Sequence, residues 1–288
     1  MRDWHQIGII GNGRVARALG TALAARSQQP MLLWGRNLDA ARAVATEVGR
    51  GEAIAEPGAL LAACDLVILA VADDALSPLI AALAQGAPLD HAPFLFHVSG
   101  RSGAGLLEPL RAAGAVTAAI HPAMTFIGHP AQEAARMAGA HFAITASSDD
   151  ALVQAHGVVR QLGGVAVEVM EQHRTLYHAA LCHAANHLVT LLAGASGALA
   201  TAGVGDPQAL LAPLVRAALD NSLDRGFAAL SGPLLRGDRD TIADHLAALA
   251  QDDPALLPAY RAMALATLDA MERTGAPALN PALRHDLG

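Results

Sequence analysis

Short, wholly apolar runs alternate in the first half of the chain with longer stretches whose apolar positions recur every three or four residues. Residues 6–10 read as a buried strand, and a helix follows from about 14 to 25. Residues 31–34 form a second strand and 39–48 a second helix. A short strand is expected near 53–55, then a helix opened by Pro57, whose fixed φ suits a first helical turn. The run LVILAV at 66–71 is apolar on both faces, which a central strand tolerates and an edge strand does not. Residues 94–98, 116–120, 141–145 and 165–169 are further strands by the same criterion. Strands alternating with helices predict a doubly wound, mainly parallel sheet covered by helices on both faces.

Beyond about residue 170 the strand signal stops. Residues 175–199, 207–230, 240–250 and 254–274 all carry helical periodicity, broken by glycine and proline between Gly203 and Pro207 and at Gly232 and Pro233. The pattern therefore predicts an α/β domain over 1–170 and an all-helical domain over 171–288.

Composition narrows what such a chain does. Hydrophobic residues make up 53% and charged residues 16%, so the chain has the means to bury a core; only 3% are aromatic, so that core is aliphatic. A net charge of -7 argues against a nucleic-acid partner. The apolar segments are interrupted too often to suggest a membrane span, and the first of them runs into a glycine turn rather than a cleavage site. Cys64 and Cys182 belong to no CxxC pattern and read as thiols in a reducing compartment, so a cytoplasmic location is expected. All 19 basic residues are arginine. With no lysine, a lysine acid, a Schiff base and a P-loop lysine are excluded.

Directly after the first strand stands Gly11-Asn12-Gly13-Arg14-Val15-Ala16, a GxGxxA fingerprint between a strand and an amphipathic helix. Gly11 permits the tight turn and Gly13 lets the backbone approach a pyrophosphate. Ala16 lets the helix pack on the strand, with its first amides facing the phosphates. This reads as the dinucleotide site of a Rossmann-type domain, the plainer alternative being a structural turn. The second strand ends in Trp34-Gly35-Arg36-Asn37, where an NAD site would carry an acid. A guanidinium grips a 2′-phosphate that an acid would repel, so NADP is favoured; the plainer role for Arg36 is to cap the loop. Val71 and Asp73, at the end of the fourth strand, complete the expected cofactor-binding set of Gly11, Asn12, Gly13, Arg14, Val15, Arg36 and Asn37.

Ligands of such sheets sit outside the carboxyl ends of the strands. Ser99 and His121 fall there, after the fifth and sixth strands, and a histidine moves a proton near neutral pH. The alternatives are a structural histidine at the strand end and a turn serine. The first helix of the second half carries His178, Cys182, His183, Asn186 and His187. Asn186 is expected to line the cleft between domains. His183 and His187 share a helical face, but no acid joins them and nothing resembles HExxH, so no metal is expected. Farther on, Arg236 and Asp238 could bind an anionic group and a hydroxyl of a substrate, or be a solvated side chain and a helix cap.

Taken together, GNGRVARAL, HVSGRSGAGLLEPL, HPAMTF, HAALCHAANHLVTLL and LSGPLLRGD resemble a family of short-subunit oxidoreductases. Its members join a Rossmann-like domain to a C-terminal helical domain of unknown function, number 2520. More distantly the chain is similar to prephenate dehydrogenase, pyrroline-5-carboxylate reductase, ketopantoate reductase and 6-phosphogluconate dehydrogenase. The resemblance implies a homodimer built through the helical domain. It matches Ser99 and His121 to the serine and the His-Pro histidine that prephenate dehydrogenases use beside the nicotinamide. It matches Asn186 to a helix asparagine of the ketopantoate and phosphogluconate enzymes, with Cys182 where those carry a lysine. The expectation is hydride transfer between NADP(H) and a small polar substrate in the interdomain cleft, with His121 handling the proton, Ser99 orienting it and Asn186 holding the reacting oxygen. The rival is a non-catalytic NADP-binding sensor or scaffold.

Overall fold

A computed structural model describes residues 3–86, 88–89, 91–275 and 281–288, the side chain of Pro281 excepted. The chain divides into two compact units, residues 1–183 and 184–288. The first holds eight strands: β1 (Ile7–Ile10), β2 (Met31–Trp34), β3 (Gly51–Ala53), β4 (Leu66–Leu69), β5 (Phe94–His97), β6 (Val116–Pro122), β7 (His141–Ala146) and β8 (Val165–Glu168). They form one sheet in the order β3-β2-β1-β4-β5-β6-β7-β8. Between them run α1 (Arg14–Leu23), α2 (Leu38–Val48), α3 (Gly58–Ala63), α4 (Asp73–Leu83), α5 (Glu108–Ala112), α6 (Pro130–Arg136) and α7 (Asp149–Gln161); α8 (Arg174–Thr201) follows β8.

Side chains alternate across a strand, so a sheet covered on both faces needs apolar residues at every position. Ile7, Ile9, Leu66, Ile68, Phe94 and Phe96 enter one buried cluster with Leu19 and Leu23 of α1 and Val44 and Val48 of α2. Ile10, Val67, Leu69 and Leu95 enter another with Leu60 of α3, Leu76 and Ile80 of α4 and Leu110 of α5. The strand order turns back at β1, which pairs with β2 on one side and β4 on the other. The crevice outside that switch point is where this fold binds ligands.

Two strands depart from the expectation. The third lies at Gly51–Ala53 rather than 53–55, in register with Met31–Leu33. A Cβ at Gly51 would press on Leu33 and Ala45, so glycine is what lets this edge approach α2. β7 runs antiparallel to β6, while β7 and β8 are parallel. The β6–β7 connection carries only the seven-residue α6, and an antiparallel neighbour needs no long crossover. The β7–β8 connection carries the thirteen-residue α7 and makes a parallel βαβ unit.

The second unit holds the rest of α8, then α9 (Pro207–Arg225), α10 (Pro233–Arg236), α11 (Arg239–Asp252), α12 (Leu257–Arg273) and α13 (Pro281–Leu287). α9 stops at Arg225, short of the expected 230, because Gly226 turns the backbone to φ +60°. Ile242, Ala264, Leu268, Met271, Leu283 and Leu287 form the core of this unit. Among the described residues no helix is long and apolar enough to cross a membrane.

One buried cation ties the start of α8 to the sheet. Arg174 is 1% exposed. Its Nε donates to the Ser102 carbonyl (3.0 Å), one terminal nitrogen to Ala143 (3.2 Å) and the other to Ser99 (2.5 Å). These acceptors come from the loop after β5 and from β7. Arg174→Met leaves them short of a donor where water hardly reaches, and is expected to cost about 3 kcal/mol. Urea unfolding followed by circular dichroism measures this, and a loss below about 1 kcal/mol would remove Arg174 as the clamp.

Candidate functional site

The crevice at the switch point is a cavity of about 660 Å³. Gly11, Asn12 and Gly13 line it from the turn after β1, Trp34, Gly35 and Arg36 from the end of β2, Val71 from the link after β4, and Asp74 and Pro78 from α4. Gly11 has φ +132°, and a Cβ there would collide with the Ala70 carbonyl, so this position excludes any side chain on two counts. Nothing lies within 4 Å of the place where a Cβ on Gly13 would stand, so this backbone is open to a ligand. Ala16 is fully buried where α1 meets the sheet, and Val15 packs on the same cluster.

Arg36 is exposed at the rim, and among the described residues no carboxylate pairs with it. Trp34 donates from its indole nitrogen to the Ala55 carbonyl (3.0 Å), which fixes its ring at the wall. Asn37 stands outside the lining; its side-chain oxygen caps α2 by accepting from the Ala40 amide (2.9 Å). Arg14 donates to the Phe126 carbonyl (3.2 Å) and so joins α1 to the loop after β6. That loop is held by Glu133, 1% exposed, whose Oε1 accepts from the amides of Ile127, Gly128 and His129. Burial pushes this carboxyl up, and the three amides together bring it below the usual carboxylate range. Asp73, the first residue of α4, pairs with Arg101 of the β5 loop at 3.2 Å.

A second group of polar side chains gathers around the ends of β5 and β6 and the first turns of α8. His121 Nδ1 lies 2.9 Å from the Tyr177 hydroxyl. The His121 ring stands edge-on to Tyr177 and to His178, each with centroids 5.7 Å apart. The Arg174 guanidinium sits 5.6 Å from the centre of the Tyr177 ring. Gly100 makes room for the cluster, since a Cβ there would press on His178 and come within 2.9 Å of His121 Nε2. His178 Nε2 in turn approaches Cys182 Sγ at 3.6 Å. Burial, and then the nearby charge of Arg174, pull His121 down to about 4, so its imidazole is neutral at pH 7. Burial raises the Tyr177 phenol above its ordinary value, against the pull of Arg174.

Ser99 is buried beside this cluster. Its hydroxyl accepts from the Ser102 amide (3.3 Å) and its carbonyl from Arg174, while the contact that orients His121 comes from Tyr177. His97 braces the same loop: its Nε2 donates to the Gly103 carbonyl (2.9 Å) and its Nδ1 accepts from the Ser99 amide (3.2 Å). Burial pulls His97 to about 4, which leaves it in the neutral form this bonding requires. Asn186 is an exposed residue of α8 belonging to the second unit. Arg236 and Asp238, also of the second unit, bind each other (Nε–Oδ2 2.8 Å), and the Asp238 side chain does not cap α11. Among the described residues no three His, Cys, Asp or Glu side chains gather as metal ligands.

Tyr177, Arg174 and Glu133 were not among the expected site residues. The one available signal lay at Tyr177, one of only two tyrosines and the neighbour of the singled-out His178.

Residues 2–122 match the Rossmann-like domain family and 140–267 the domain of unknown function DUF2520. No curated protein matches the chain. Among solved structures, a Bacteroides fragilis protein provisionally described as an NADP oxidoreductase is 22% identical, with a TM-score of 0.76 over 93% of this chain and 99% of that one. An imine reductase from Myxococcus stipitatus in complex with NADP+ is 16% identical, with a TM-score of 0.70 over 98% and 100%. A reductive aminase from Aspergillus terreus, in complex with NADPH and ethyl-5-oxohexanoate, is 17% identical, with a TM-score of 0.67 over 98% of each chain. At these identities the likeness is one of fold. The chain is thus a Rossmann-like protein carrying a DUF2520 domain, the pairing its sequence resemblance implies.

Proposed function

We propose that the chain is an NADP(H)-dependent oxidoreductase that moves hydride to or from a small polar substrate, across C=O/CH–OH or C=N/CH–NH. One observation carries this reading: a crevice at the sheet's switch point joins an open glycine backbone at Gly13 to an exposed guanidinium at Arg36 that pairs with no carboxylate among the described residues. The bound nucleotide supplies the hydride. The amides that open α1 face its pyrophosphate, and Arg36 takes the 2′-phosphate in paired hydrogen bonds. Trp34, Val71 and Pro78 offer apolar walls for its base. The complexes of the imine reductase and the reductive aminase with NADP+ and NADPH support the cofactor assignment.

His121 belongs to the group that serves the proton at the reacting centre, hydrogen-bonded to Tyr177, with Ser99 in the loop that packs beside it and His178 against its ring. Asn186 enters on the sequence resemblance, as the group that holds the reacting oxygen; Arg236 and Asp238 stay as substrate contacts of lower rank. The helical part from residue 171 serves substrate binding and dimerisation. The protein works in the reducing cytoplasm, which suits a Cys64 thiol pushed up to about 12 by burial and a Cys182 without a disulfide.

The dimer reading rests on α9. None of its 19 residues is buried, and Leu210, Leu214, Leu219 and Leu223 are 47–77% exposed. Leu210 and Leu214 on one side of the helix and Leu219 and Leu223 on the other, all left in water, mark surface that a second chain covers.

Calorimetric titration is expected to show NADPH binding more tightly than NADH. Arg36→Ala should weaken NADPH by about 10- to 100-fold and leave NADH little changed, the worth of a charged hydrogen-bonding pair. Equal binding of both nucleotides would remove Arg36 from the site, and binding of neither by folded protein would sink the reading. His121→Ala is expected to lower turnover by about 10²- to 10⁴-fold, and unchanged turnover would take His121 out of the reaction. Sedimentation should give about twice the 29.4 kDa chain mass, with Leu214→Arg returning the protein to monomer; a monomeric wild type would refute the interface.

A further inference from the structure

We propose that Tyr177 gives the proton to the reacting atom, that His121 positions it, and that the substrate group reduced is therefore a carbonyl rather than an iminium. This rests on the hydride-transfer reading above. The geometry is the hydrogen bond of 2.9 Å between His121 Nδ1 and the Tyr177 hydroxyl, together with the guanidinium of Arg174 at 5.6 Å from the phenol ring. In the His121 tautomer that carries hydrogen on Nδ1, the imidazole donates to the phenol oxygen. The phenol's own hydrogen is then free to point at a substrate.

The charges around the pair favour a negative oxygen. The groups facing it are Arg174 and His178 from α8, His97 from β5 and Asp73 from α4. His97 is neutral, and Asp73, the one acid of the set, is committed to Arg101. Glu171, one turn before Arg174, binds the Gly105 amide. What remains is a buried positive charge whose hydrogen-bond partners are neutral carbonyls, offset only in part by the exposed carboxylate of Glu171.

Hydride addition to a carbonyl breaks the C=O π bond and leaves its electron pair on oxygen, which takes the phenolic proton of Tyr177. The phenolate that forms is stabilised by Arg174 and by His121 Nδ1–H, and water returns its proton. Hydride addition to an iminium needs no proton and discharges a cation, which the field of Arg174 would repel from this place. A neutral His121 supports the assignment, because an imidazole without its second proton has none to give at pH 7.

Two measurements test this, one of them independent of turnover. The chain has two tyrosines, so in Tyr260→Phe protein the tyrosinate absorbance reports Tyr177 alone. Adding His121→Phe, which keeps the ring volume, removes a donor to the phenolate and should raise the titration midpoint. A fall would mean that the phenolic hydrogen is committed to His121, and would overturn the proposal.

The second measurement follows NADPH consumption with cyclopentanone and small 2-oxo acids on one side and 1-pyrroline on the other. The carbonyl compounds should be reduced at a rate flat from about pH 5 to 9, and Tyr177→Phe should lower it about 10²-fold or more with NADPH affinity unchanged. If His121 were the donor, the rate would instead drop about tenfold per pH unit above its protonation range. That slope, turnover of 1-pyrroline alone, or no turnover of either class by protein that binds NADPH, overturns the proposal. Failure of the wild type to bind NADPH is a different result, and it removes the reading beneath.

Discussion

A guanidinium that hydrogen-bonds to no carboxylate among the described residues, held inside the first unit, is the constraint around which the candidate site is arranged. Arg174 donates from each of its three nitrogens to a backbone carbonyl, so the charge is solvated by the chain but not neutralised. Carbonyl dipoles stabilise a cation in place yet leave its long-range potential largely intact, whereas a carboxylate would have cancelled it. Two consequences follow from the same contacts. The loop Ser99–Ser102 and β7 are fastened to the start of α8, and the same charge adds to burial in keeping His121 unprotonated and works against burial at Tyr177, whose phenol stays above its ordinary value. Structural anchoring and tuning of the proton-handling pair are therefore one interaction.

The parts of this arrangement that could be read from the chain are those written in local pattern. The GNGRVA turn needs a glycine at φ +132° and a small residue where the helix meets the sheet, and both demands concern positions adjacent in sequence. The strands at 66–71 and 94–98 announce themselves because apolar residues fill both faces. Strand direction leaves no such mark: β7 has the same composition whether it runs with β6 or against it, and only the shortness of α6 separates the two. Arg174 was equally hidden. Its acceptors lie 72, 31 and 75 residues away, so nothing around Glu171-Gln172-His173-Arg174 distinguishes it from a solvated arginine at the start of a helix. His121 and His178 were legible as chemistry, whereas the side chain that binds His121, Tyr177, becomes visible only when α8 is laid over the end of β6.

The helical half shows the opposite failure of local pattern. A helix that packs against one neighbour shows an apolar stripe and a polar face. α9 carries Leu210, Leu214, Leu219 and Leu223 among alanines, arginines and aspartates, which predicts a helix correctly and says nothing about what covers it. Its leucines lie open in the single chain, while α11, α12 and α13 close a small core of their own. Periodicity reports that an element has an apolar side; it cannot report whose surface completes the burial.

In a lysine-free protein every cationic task falls to arginine, and Arg36 and Arg174 show how burial separates two such tasks. Arg36 stands in water at the rim of the crevice, where its charge is screened and its hydration is readily exchanged for a phosphate, so it suits reversible capture of an anion. Arg174 has already exchanged water for carbonyls and is buried out of reach of a soluble anion, so it acts through its field on groups that others position. A lysine could replace neither without loss. At the rim it would offer a point charge in place of a planar fork. In the interior its single ammonium could not reach three carbonyls spread over two segments, and burial would press it to shed its proton and with it the potential that the His121–Tyr177 pair depends on.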